Sequence, residues 1–326
     1  MAGNTLTTER KSWLSFLGQA GSDQPTEDAE RVIAFHQRPG TPAGASFRDG
    51  VEYVRAGPTG RPLHLFLFGR TDSTERRPGV VFVHGGGWQE GHPYMHMRHA
   101  HDLAERGYVT AAIRYRLHPE TGIEGALEDV RAAIRWMRVS HAEIGLDPQR
   151  LAIGGGSAGG HLAAFAALTA EGPEGQGDSG GSGDSGDSGD SDAMDSSVCA
   201  AFLWYPVTDL DVGCHQDLHD FVAGMCPNPG RRRALSPIEQ VRHGAPPIVS
   251  ITGGADVVTT LPMVEAFHRR LSDAGVPNHL EVFEGRGHAF DFAPEEWPGS
   301  FACFSRHLDA YLPVGGDPCR SYARRP

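Results

Sequence analysis

The stretch Leu151-Ala152-Ile153-Gly154-Gly155-Gly156-Ser157-Ala158-Gly159-Gly160-His161 limits what this chain can fold into more than any other. Three apolar residues run into a series of small ones, and a helical pattern continues from Ala158 to Leu168. Gly155 to Gly159 fits G-x-S-x-G, a strand-to-helix turn so sharp that its serine takes strained backbone angles. The neighbouring positions must be small, because side chains there would strike the adjoining strand and helix. Ser157 then stands at the positive N-terminal end of a helix. Five residues with two free positions also fit a glycine-rich loop holding an incidental serine, so the context has to decide.

Two features supply that context. Val80-Val81-Phe82-Val83 reads as a buried strand, and His84-Gly85-Gly86-Gly87-Trp88 follows it directly. Such a glycine loop lets backbone N–H groups approach a substrate carbonyl unobstructed. Gly86 and Gly87, with Ala158 after the serine, are the expected oxyanion donors. Farther on, Pro247 to Ile251 reads as a strand that turns out through Thr252-Gly253-Gly254-Ala255-Asp256. Leu280 to Phe283 reads as the next, turning out through Glu284-Gly285-Arg286-Gly287-His288. Serine, acid and histidine thus follow in the chain order of an α/β-hydrolase triad. Asp209 and Asp211, after the preceding strand, compete with Asp256 for the acid's place. Asp291 lies too near His288 in sequence to orient it, and His161 reads as a packing residue.

The chain resembles the hormone-sensitive-lipase-like and acetyl-esterase branch of the α/β-hydrolases. The matching pieces are His84 to Trp88, Tyr115 to Glu120, Leu127 to Val130, Gly155 to His161, Leu235 to Ile238, Ala245 to Pro247, Gly254 to Asp256 and Gly287 to Phe290. The resemblance implies an α/β-hydrolase fold: a mostly parallel central sheet, helices on both faces and a small cap. It also implies Ser157 as nucleophile, His288 as base, Asp256 as its orienting acid, and Trp88 beside the substrate. Hydrolysis through an acyl-enzyme needs no cofactor and no metal. The expected partner is a small ester, with a homodimer left open. Two positions depart from the family's habit: Gly156 stands where an acid is common before the nucleophile, and Thr252-Gly253 where His-Gly is common. An amidase or peptidase of arylformamidase type would use the same triad. A non-catalytic receptor would be expected to have lost one of its members.

The rest of the chain reads as alternating strands and helices, which imply a parallel sheet with ligands at the carboxyl ends of its strands. Val51–Ala56 and Leu63–Phe68 form an opening hairpin. Helices are expected over Met95–Arg106 and Ala126–His141, and strands over Val109–Ile113 and Val198–Tyr205. Arg116 and Asp129 read as a structural ion pair, and Tyr115 as a packing residue. His96, His99 and His101 read as a solvated helix face rather than a metal site. Residues 1–49 form an N-terminal segment that could belong to the cap, and residues 50–326 the catalytic domain, with a cap segment at 206–245. Residues 171–197 carry eight acids and no base, most of the formal net charge of −12. They read as a disordered insert, because almost nothing there can bury apolar surface. The acidity argues against nucleic acid and anionic membranes as partners. Of five cysteines, Cys199 and Cys303 read as core, while Cys214 and Cys226 share one segment. Trp13 to Leu17, after Arg10-Lys11, is too short for the core of a signal peptide, so a cytoplasmic protein without a membrane span is expected. The mostly polar cap segment favours small soluble substrates of short acyl length.

Overall fold

A computed structural model describes residues 45–70, 75–170, 195–211 and 216–315. The N-terminal segment to residue 44, most of the acidic insert, and Cys214 lie outside the described residues, and so do the expectations placed on them.

Eight strands form one sheet in the order β1-β2-β4-β3-β5-β6-β7-β8. The opening hairpin is β1 (Ala45–Ala56) and β2 (Arg61–Arg70), antiparallel to each other, with β2 antiparallel to β4 (Val109–Ile113). The other six run parallel: β4, β3 (Arg77–Val83), β5 (Leu146–Gly156), β6 (Ala201–Trp204), β7 (Ile248–Gly253) and β8 (Asn278–Phe283). The expected fold class is therefore the observed one.

Parallel strands are joined by crossovers that place helices on both faces, so their residues are apolar in unbroken runs. In β3 all four of Val80 to Val83 are fully buried. Because successive side chains alternate across a strand, Val81 and Val83 enter one core while Val80 and Phe82 enter the other. The first core packs under α2 (Ile123–Val139) and α4 (Ala158–Leu168) and takes in Phe267 and Leu271 of α7 (Leu261–Asp273). The second packs under α1 (Met97–Glu105) and α8 (Trp297–Tyr311). Each large side chain so buried contributes roughly 1.5–3 kcal/mol relative to exposure. A four-residue turn of helix, α3 (His141–Ile144), leads into β5.

Element boundaries moved where tertiary pairing overrode local pattern. β1 starts at Ala45 because Ala45 to Arg48 pair with β2, and β6 shortens to four residues. Pro93 opens a 3-10 turn (Pro93–His96) ahead of α1. The reading of the histidines as a solvated face is overturned: His96, His99 and His101 are 2, 0 and 4 % exposed. His96 stacks on Phe82 with ring centroids 5.3 Å apart, and His99 meets Trp204 and Trp297 edge-on at 4.7 and 4.4 Å. Flat imidazoles serve here as aromatic packing. Cys303 is buried as expected, whereas Cys199 is only half-buried.

Residues 206–245 carry α5 (Gln216–Met225), α6 (Pro229–Ala234) and a 3-10 turn (Pro237–Gln240). Asn228 caps α6 by accepting from the Arg231 amide at 3.1 Å. Arg231 pairs with Glu124 of α2, and His161 Nε2 donates to the Leu235 carbonyl at 2.9 Å, tying this segment to the helix that follows Ser157.

Candidate active site

The site forms where parallel strands end. Ser157 closes β5 with φ 55° and ψ −121°, the strained turn expected of it. The turn is held on both sides: the Ser157 amide donates to the Trp204 carbonyl at 2.9 Å, and its carbonyl accepts from the His161 amide at 2.9 Å. Gly159 shows why small residues are required. A Cβ there would lie 2.1 Å from the Val83 carbonyl oxygen and 2.4 Å from that of His84. That contact pins the start of α4 against the end of β3, and so sets the serine beside the glycine loop.

His288, in the loop after β8, places Nε2 3.0 Å from Ser157 Oγ and Nδ1 2.8 Å from Asp256 Oδ2. Serine, histidine and acid are 6, 8 and 5 % exposed, so the relay is shielded from bulk water. Asp256 Oδ1 accepts from the amides of Val258 and Thr259 at 2.8 and 2.9 Å, and Oδ2 also accepts from the Thr259 hydroxyl at 2.8 Å. Burial by itself raises this carboxyl's pKa. The hydrogen bond and charge of His288, with the Thr259 donors, outweigh burial and hold it below the usual range. Asp256 is thereby an anion fixed by four donors.

The rival acids are occupied elsewhere. Asp211 pairs with Arg232 of α6, and Asp209 accepts from the Asp211 amide at 2.8 Å. Asp291 accepts from the Tyr205 hydroxyl at 2.6 Å rather than from the histidine.

The glycine loop follows β3. Gly86 has φ 115°, and a Cβ there would overlap the Glu90 carbonyl oxygen at 2.2 Å, so only glycine fits. Among the described residues, no hydrogen bond is donated by the amides of Gly86, Gly87 or Ala158. Three donors are thus left unspent around Ser157, and α4 adds the positive end of its dipole. His84 anchors the loop: its ring stacks on Tyr115 at 4.3 Å and its carbonyl accepts from the Tyr115 hydroxyl at 2.9 Å. Burial lowers the pKa of His84 to about 4, keeping it neutral. Tyr115 therefore packs as expected, and it also braces the loop. Beneath, Asp129 receives the Arg116 guanidinium through Nε and Nη2, at 2.9 and 2.8 Å, and its backbone amide at 2.8 Å.

Trp88 is 2 % exposed, with its indole edge-on to the ring of His161 at 5.3 Å. It has a positive φ of 61° and belongs to the core under α2 and α4. Sequence reasoning missed Thr259 and Tyr205. Asp256-x-x-Thr259 carried a signal, since an aspartate readily accepts from amides two and three residues on. Tyr205 carried none.

With this geometry in view, comparison with known proteins is decisive. The BD-FAE family model matches residues 65–271. The chain belongs to this family of α/β-hydrolases. It is 32 % identical over 255 residues to Esterase LipQ of Mycobacterium tuberculosis, covering 73 % of this chain and 56 % of LipQ. The chain spans about half the length of that relative. Esterase 2 of Thermogutta terrifontis phosphonylated by sarin superposes with a TM-score of 0.70 at 27 % identity, covering 86 % of this chain and 99 % of that one. The butyrate-bound form of the same esterase gives 0.67 at 27 % identity, over 84 % and 96 %. Among the described residues of this BD-FAE family member, no helix is long and apolar enough to cross a membrane. Among the described residues, two groups of side chains of metal-ligating type, His279-Glu281-His307 on β8 and α8 and His101-Asp102-Glu105 on α1, come together without a triad member.

Proposed function

We propose that this protein hydrolyses carboxylic esters of short acyl chains, with Ser157, His288 and Asp256 as catalytic residues and the amides of Gly86, Gly87 and Ala158 as the oxyanion hole. The observation that carries the proposal is the unbroken relay of 3.0 and 2.8 Å from Ser157 through His288 to a buried anionic Asp256, beside amides with no other acceptor. His288 Nε2 takes the hydroxyl proton as Ser157 Oγ attacks the ester carbonyl. The oxyanion gains donors that were already oriented, each worth ~10²–10³ in turnover. The imidazolium, balanced by Asp256, gives its proton to the leaving alcohol. Water, deprotonated by the same histidine, then releases the acid. No step calls for a metal or cofactor.

Two observations support small substrates. Among the described residues only Val139 and Val257 are large apolar side chains exposed to solvent, so the described surface has no apolar field for docking on fat. The related esterase was captured with butyrate. The segment at 206–245 would act as the cap over the acyl site.

Nitrophenyl esters from acetyl to decanoyl provide the test, with kcat/KM measured below each ester's solubility limit and Ser157→Ala alongside. Efficiency should peak between acetyl and butyryl and fall steeply by decanoyl, and the alanine variant should fall to background. Activity that keeps rising through decanoyl would overturn the short-acyl reading, and turnover surviving in Ser157→Ala would overturn the nucleophile.

A further inference from the structure

A second carboxyl lies behind the triad. Asp291, in the 3-10 turn Phe290–Phe292, is 1 % exposed. Its Oδ1 accepts from the Tyr205 hydroxyl at 2.6 Å. The Tyr205 ring lies edge-on to the imidazole of His288, with centroids 4.7 Å apart. Tyr205 follows β6 with φ 37°, an unfavourable angle for a bulky side chain, so its position is enforced from outside. Its amide is bonded to the Ile251 carbonyl at 2.7 Å. Across the ring lies Gly156. A Cβ on that residue would come within 3.2 Å of Tyr205 Cε2 and 3.3 Å of its hydroxyl, so the ring occupies the space a side chain before the nucleophile would need.

His288 is therefore held on three sides. Ser157 takes Nε2, Asp256 and Thr259 take Nδ1, and Tyr205 takes the ring. Two in-line hydrogen bonds fix the direction of an imidazole but leave its rotation about that line soft. A ring pressed against it removes that freedom, and a tyrosine whose hydroxyl is tied down cannot tilt away. We propose that Asp291 and Tyr205 form a positioning pair for His288, in which the Asp291 carboxylate anchors the Tyr205 hydroxyl, the ring holds the imidazole in line, and the buried charge favours the imidazolium formed during turnover. The proposal rests on the reading of Ser157, His288 and Asp256 as the triad.

The groups facing Asp291 are few. They are Tyr205 from the end of β6, His288 from the loop after β8 and, through Tyr205, Asp256 from the end of β7. Arg286 and Glu296, the next charged pair along that loop, close on each other at 2.7 Å. Burial raises the pKa of Asp291 to about 6, so the carboxylate is formed at slightly alkaline pH.

The test uses isosteric variants, which keep the core filled. Tyr205→Phe keeps the ring and loses the tie. Asp291→Asn keeps an acceptor and loses the charge. Active sites are counted with a serine-directed fluorophosphonate, so that kcat refers to competent molecules only. Tyr205→Phe should lower kcat about 3- to 10-fold with KM within about twofold, as expected for loss of orientation rather than binding. Asp291→Asn should shift the acid limb of kcat/KM downward by about half a pH unit or more, because an imidazolium without its nearby anion gives up its proton more readily. A purely structural pair would move the melting temperature and the titrated fraction but neither readout. An unmoved acid limb in Asp291→Asn, or an unchanged kcat per site in Tyr205→Phe, overturns the proposal. Ser157→Ala, assayed in parallel, separates the two levels: if it stays active the triad reading fails, and if it is silent while both variants behave as wild type only the positioning pair fails.

Discussion

Replacing Asp256 by asparagine tests whether the geometry around the acid dictates the histidine tautomer. An asparagine side chain has the same shape but one acceptor and one NH₂ group, and the structure decides which goes where. The Oδ1 position faces two backbone donors, Val258 N at 2.8 Å and Thr259 N at 2.9 Å. An NH₂ placed there would strand both, at about 1–3 kcal/mol each. The amide nitrogen is therefore driven to the Oδ2 position, 2.8 Å from His288 Nδ1. There it donates to Nδ1, so the imidazole proton must reside on Nε2. Nε2–H then points at Ser157 Oγ across 3.0 Å and cannot take its proton. Holding the wrong tautomer costs about 10⁴-fold in kcat for a triad of this kind, equivalent to about 5 kcal/mol of barrier. The assay is kcat on nitrophenyl butyrate at pH 8, with thermal melting to establish that the variant is folded. The donors on Asp256 are local, and Thr259 can turn its hydroxyl to accept from the new NH₂, so the fold should persist. A folded Asp256→Asn enzyme within tenfold of wild type would refute the tautomer argument.

Two further outcomes follow from buried charges. Asp129→Ala removes the only side-chain partner shown among the described residues for the Arg116 guanidinium, which is 12 % exposed while the aspartate is 2 % exposed. Leaving such a charge unpaired costs about 3–5 kcal/mol, so thermal melting should show a midpoint roughly 6–20 °C lower, whereas a change of a degree or two would show that the pair adds nothing. Asp291→Asn should melt higher than wild type at alkaline pH. A carboxyl raised by burial to about 6 stabilises the fold fully below its unfolded value of about 3.9. That contribution is lost as pH rises toward and through 6, leaving a cost of roughly 3 kcal/mol at pH 8. Asparagine does not titrate, so its advantage should be present at pH 8 and shrink by pH 4.5; an equal difference at both values would remove the linkage argument. A variant that gains stability while its acid limb moves would mark Asp291 as a carboxylate kept for function at the expense of stability.

The parts of this protein legible in the sequence are those where local chemistry admits few solutions. Only a strand-to-helix turn accommodates small residues so tightly around one serine, and Gly159, where a Cβ would lie 2.1 Å from the Val83 carbonyl oxygen, shows the packing that enforces it. The glycine loop at Gly85 to Gly87 and the order of Ser157, Asp256 and His288 belong to the same kind of information, because each sits just after a strand, and those before the loop, Ser157 and Asp256 are the apolar runs that a doubly covered sheet requires. Asp256 was distinguishable from Asp209 and Asp211 by its place after the strand next to that of His288.

What lay outside the sequence depends on which faces meet. His96, His99 and His101 have the polarity of a solvated stripe, but β3 and β6 present Phe82 and Trp204 to that side of α1, and the imidazoles are buried among them. Trp88 follows the glycine loop with a positive φ, and its ring packs edge-on against His161 within the core. Tyr205 and Asp291 are 86 positions apart in the chain and carry no pattern in common. Only the pairing of β6 between β5 and β7 brings that tyrosine under His288 and lets the turn after β8 set Asp291 against its hydroxyl. Periodicity reports which side of an element is apolar, whereas the partner of a buried polar group is set by strand order and by the directions in which loops leave the sheet.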